Sequence, residues 1–128
     1  MTETSIPEHI RRFIVTSITS IPYLEAVLLL RSEPGQSWDS GRVAQRIYLS
    51  EKAAAQILEE LCGAEVLARV GDSDGSYCYR PASSELRALI DGLADVYAKN
   101  LLEVTALVHS NTNIVQRFAD AFKWRKDD

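Results

Sequence analysis

Asp39-Ser-Gly-Arg-Val-Ala-Gln-Arg-Ile-Tyr-Leu-Ser-Glu-Lys-Ala-Ala-Ala-Gln-Ile-Leu-Glu-Glu-Leu61 is the stretch that decides the fold. Val43, Ala44, Ile47 and Tyr48 fall on one side of a helix of about two and a half turns, which Asp39 or Ser40 can cap. Leu49-Ser50 makes a tight turn. Ser50 then caps a second helix, from Glu51 to about Cys62, whose inner face is Ala54, Ile57, Leu58 and Leu61. Lys52, Gln56 and Glu59, at steps of four and three, mark its opposite face.

The flanks extend this pattern. Val66-Leu-Ala-Arg-Val70 and Tyr77-Cys-Tyr-Arg80 are strand-like, and Gly71-Asp-Ser-Asp-Gly75 supplies the turn of a β-hairpin. Tyr77 and Tyr79 alternate with Cys78, so one face of that strand packs and the other is open. Gln36-Ser37-Trp38 is short and extended, with Trp38 as an apolar plug beneath the hairpin.

Towards the N-terminus, Ser5-Ile-Pro-Glu8 opens a helix as a capping box with Pro7 in the first turn. Ile10, Phe13, Ile14 and Ile18 form its apolar stripe, and it stops before Pro22. Ser20-Ile-Pro22 repeats that opening for a helix with Leu24, Val27, Leu28 and Leu30 inward. Pro34-Gly35 ends it.

After the hairpin, Ser83 or Ser84 caps a helix from about 84 to 109, roughly 39 Å long. Leu86, Ile90, Leu93, Tyr97, Leu101, Val104 and Val108 recur at steps of four and three along it, close to a seven-residue repeat. One small domain cannot cover such a length, so this seam is expected to pair with a second copy. Asn111-Thr-Asn113 breaks the helix. Ile114 to Trp124 forms a last amphipathic segment, whose Phe118 and Phe122 are expected to pack on the body or the dimer partner, not on a membrane.

The chain has 128 residues, 46% hydrophobic and 25% charged, the values of a single folded domain. No apolar run approaches the roughly 20 residues needed to cross a bilayer, and no secretory leader is visible. A cytoplasmic, bacterial protein is expected. Cys62 and Cys78 fit neither metal-ligand nor Cys-x-x-Cys spacing, and His9 and His109 stand alone. No nucleophile elbow, phosphate loop or carboxylate pair is present. No enzyme activity, metal or cofactor is expected.

Residues 22–81 resemble the winged helix-turn-helix domain of bacterial transcription regulators, through the Val-Ala-x-x-Ile helix, the turn with Ser, the Ile-Leu-x-x-Leu helix and the hairpin. The terminal helices resemble the dimerising helices of MarR-type regulators. The fold so implied is mainly α with a small β-hairpin (α+β), one domain over 1–128. It comprises an N-terminal helix at 5–21, the winged helix-turn-helix at 22–81 and C-terminal dimerisation helices at 82–128. The resemblance implies a regulator that binds double-stranded DNA as a homodimer. Its recognition helix would be Glu51 to Cys62, with Lys52, Ala55 and Gln56 at base edges, Arg42 and Arg46 near phosphates, and Arg69 and Arg80 on the wing.

Charge pulls the other way. The net charge is -4 and the pI about 5.2. Between Pro22 and Pro81, Arg31, Arg42, Arg46, Lys52, Arg69 and Arg80 face nine acidic residues. Asp72 and Asp74 at the wing tip should repel phosphate. DNA affinity rests heavily on neutralised phosphates, so a modest, salt-sensitive affinity is expected. The alternative is a winged-helix protein-interaction module that binds no DNA. The two diverge on whether Lys52 and Gln56 join Arg42 and Arg46 in one positive surface across the dimer; if acids intervene, the protein-interaction reading prevails.

Overall fold

The computed structural model describes residues 6–71 and 75–110. Its elements are α1 (Glu8–Ser17), α2 (Ile21–Ser32), α3 (Ser40–Ile47), α4 (Glu51–Gly63), β1 (Leu67–Arg69), β2 (Tyr77–Tyr79) and α5 (Ser84–Lys99), followed by α6 (Leu101–Ser110). The fold is thus mainly α with a small antiparallel hairpin. The chain divides into two compact units. One is Pro22–Asp91; the other joins the residues up to Ile21 with those from Gly92 onward.

In the Pro22–Asp91 unit, α2 buries Tyr23, Leu24, Ala26, Val27 and Leu30. Pro22 lies in the first turn of this helix, where its missing N–H costs nothing. The side chain of Asp39 caps α3 by accepting from the Arg42 N–H at 2.9 Å. Val43 and Ala44 are buried beneath it. The helix ends at Ile47, because Tyr48 takes left-handed backbone angles (φ 58). Tyr48 therefore leaves the inner face on which helical spacing puts it, and is 93% exposed.

Ser50 caps α4, accepting from the Ala53 N–H at 3.1 Å. Ala54, Leu58 and Leu61 are buried on its inner side, and Ile57 is half-buried. Glu65, also left-handed at φ 69, turns the chain into the hairpin as the Val66 N–H bonds to the Leu61 carbonyl at 3.0 Å.

The hairpin register pairs Leu67 with Tyr79, Ala68 with Cys78 and Arg69 with Tyr77. Gly71 and Gly75 take φ 59 and 86 at its turn, conformations that suit glycine. Asp72 and Asp74 lie outside the described residues. On the far side of β2, Trp38 and Tyr77 exchange two backbone bonds, of 2.7 and 2.8 Å. So β2 is paired along both edges at Tyr77, and Trp38 is fully buried. Tyr77 and Tyr79 face inward, with Cys78 half-exposed between them; Cys62 and Cys78 are free thiols.

The Ser83 hydroxyl caps α5 by accepting from the Leu86 N–H at 3.0 Å. The single helix expected over 84–109 is divided at Asn100. Its N–H still bonds to the Val96 carbonyl at 2.7 Å, and its own carbonyl accepts from Val104 at 3.0 Å. Asn is at home at a helix N-cap, which is the place it takes before α6.

In the second unit, α1 buries Ile10 and Ile14. It is shorter than the 5–21 expected, and Pro7 stands at its N-cap in an extended conformation, not inside the first turn. Ser5, the other half of the expected capping box, lies outside the described residues. So do Asn111 to Asn113 and the segment from Ile114 with Phe118 and Phe122.

Candidate nucleic-acid interface

Because α4 turns Ala54, Leu58 and Leu61 to the core, its other side is left open. Lys52, Ala55, Gln56 and Glu59 are all exposed there. Gln56 donates to Glu60 one turn on, at 3.4 Å. The Lys52 side chain makes no hydrogen bond or ion pair among the described residues.

The two arginines of α3 are committed elsewhere. The Arg42 guanidinium lies over the Trp38 ring, 4.6 Å from its centroid, and donates to the Ser37 carbonyl at 3.0 Å. Arg46 lies 5.5 Å from the same ring and forms an ion pair with Glu33 at 3.4 Å. Trp38, buried yet offering a π-face, thus gathers both cations. Among the described residues its indole N–H has no hydrogen-bond partner.

Between α4 and the hairpin lies a cavity of about 470 Å³, with Leu58 and Tyr77 among its apolar lining and Ser40, Glu59 and Arg69 as its polar groups. Arg69 sits 5.6 Å from the centre of the Tyr77 ring. Glu59 has no counter-charge among the described residues. Arg80 is exposed and equally uncommitted.

The structure therefore collects Lys52, Ala55 and Gln56 on one open helix face. It places Arg69 across the cleft from that helix, whose Glu59 lines the same cleft. Arg42 and Arg46 belong to a separate cluster around Trp38. Acids intervene at both places, Glu33 at Arg46 and Glu59 in the cleft. Sequence reasoning missed Trp38 as the platform for the arginines and Glu33 as a partner. The regular spacing of four through Trp38, Arg42 and Arg46 was the available signal for the first; nothing local signalled the second.

The expected dimer seam also divides. Ile90, Leu93, Val104 and Val108 are fully buried within the single chain, while Leu86 and Tyr97 are half-buried. Leu101 and its neighbour Leu102 are 52% and 83% exposed. No single helix among the described residues is long and apolar enough to cross a membrane.

No family model and no curated protein matches this chain. Among solved structures it is similar to the crystal structure of RV1404 from Mycobacterium tuberculosis, with 12% identity and a TM-score of 0.51 over 90% of this chain and 83% of that one. At that identity the likeness speaks for the fold alone.

Proposed function

We propose that this chain is a DNA-binding transcriptional regulator of the cytoplasm, acting as a homodimer and reading double-stranded DNA with α4. One observation carries the reading: α4 buries one face and leaves Lys52, Ala55 and Gln56 open along the other, at the end that enters the major groove in a helix-turn-helix. Gln56 suits adenine and Lys52 suits guanine or a phosphate. Arg80, exposed on the hairpin side, and Arg69, beside the Tyr77 ring, are the cations this reading assigns to the backbone. Control is by occupancy of a promoter, with no covalent step. The apolar side chains left open on α6, Leu101 and Leu102, are what a second copy would cover.

By the criterion of one continuous positive surface the charge distribution favours a second reading, a winged-helix protein-interaction module that binds no DNA, because Arg42 and Arg46 are held apart at Trp38. Glu33 neutralises Arg46, and Glu59 lines the same cleft as Arg69. Selection of fragmented genomic DNA on the purified protein, beside Lys52→Glu, separates the two. A two-fold symmetric motif that the variant fails to recover is the expected result. No enrichment by a folded dimer rejects DNA and favours the protein partner.

A further inference from the structure

Tyr48 is a large aromatic residue for which the fold has no use. Its side chain is 93% exposed, and among the described residues it makes no hydrogen bond or ring contact. Its backbone holds φ 58, a region that Gly and Asn enter readily and a bulky residue does not. Packing and backbone preference therefore both argue against Tyr here, and a contact outside the chain is the remaining use.

We propose that Tyr48 is a DNA-backbone contact, its phenol O–H donating to a phosphate oxygen of the duplex that α4 reads. The inference rests on the DNA reading given above. Tyr48 precedes by two residues Ser50, whose hydroxyl caps α4, and by four the exposed Lys52. Its ring therefore leaves the chain at the groove-entering end of the helix, where phosphates flank the base edges. A neutral donor also suits a chain of net charge -4, since it holds a phosphate without requiring another cation.

The test uses the full chain, a labelled mixed-sequence duplex at low salt, and the variants Tyr48→Asn and Tyr48→Phe. Asn accepts the left-handed backbone, so Tyr48→Asn is expected to melt about 2–5 °C higher than the parent while binding about tenfold more weakly. Tyr48→Phe should lose most of the same affinity without the gain in melting temperature. Neither variant should alter the slope of log affinity against log salt, whereas Lys52→Gln should reduce it by about one. A more stable Tyr48→Asn that binds as tightly as the parent overturns the proposal, and so does a Tyr48→Phe that binds as the parent does. A parent chain that binds no duplex at all instead brings down the DNA reading itself.

Discussion

The δ-carbon of Ile10 lies 2.6 Å from the point where a β-carbon on Gly92 would stand. Ile10 is 1% exposed, so its end has little room to swing away. Glycine at this point of α5 is what allows α1 so close. In an open helix Gly→Ala gains about 1 kcal/mol; here overpacking should turn that into a net loss of about 1–2 kcal/mol. Ile10→Val removes the offending carbon and should recover most of the loss in the double variant. Urea melts of the four members of the cycle check this; simple additivity would show that the two sites do not touch.

Glu33 holds Arg46 at 3.4 Å in a pair whose side chains are 35% and 48% exposed. Such a pair contributes little, so Glu33→Gln should shift stability by no more than about 0.5 kcal/mol. It releases a cation, and DNA affinity should rise severalfold with a steeper salt dependence. Anisotropy titrations across a salt series measure both. An unchanged affinity would place Arg46 away from the duplex.

Ser50 and Asp39 each satisfy a backbone N–H at the start of a helix. Ser50→Ala and Asp39→Ala should each cost about 1 kcal/mol, and Ser50→Gly only a few tenths. Denaturant midpoints decide it. Equal costs for Ala and Gly at 50 would mean the hydroxyl is not what holds the end of α4.

Tyr79 offers a pH signature. Burial above all, with Asp91 adding and Arg87 and Arg31 opposing, pushes its phenol above the ordinary 10.0. Burial, then Glu60, does the same for Tyr23. The unfolded phenols ionise first, so the stability they contribute is whole below about pH 10 and is lost as pH rises through the raised folded values. Tyr79→Phe should therefore move alkaline unfolding to higher pH. At neutral pH it should be neutral or slightly stabilising, because the phenol oxygen is buried with no hydrogen-bond partner among the described residues. A loss above about 1 kcal/mol at neutral pH would reveal a partner for that oxygen.

The head of the fold was legible because its signals are local. Asp39 and Ser50 announce their helices, and the hairpin carries its glycines where the turn needs them. Tyr48 was misplaced because spacing alone puts it on the same side as Ala44; it cannot show that the helix has already ended. The break at Asn100 was masked in the same way, since the four-and-three rhythm runs straight across it from Tyr97 to Leu101 and Val104. The engagement of Arg46 by Glu33 was hidden for a different reason. A pairing of Arg46 with a nearby acid was open to expectation, but thirteen residues separate it from Glu33, and their meeting depends on how the chain leaving α2 folds back beside α3, which periodicity does not encode.

The open side of α4 has one further meaning. Lys52, Ala55 and Gln56 support nothing beneath them, while Ala54, Leu58 and Leu61 bear the packing of the same thirteen-residue helix. Substitutions on the first set escape the purge that removes destabilised folds. On the proposed reading, a lineage carrying this scaffold is thus free to drift from one target to another while its architecture stands still.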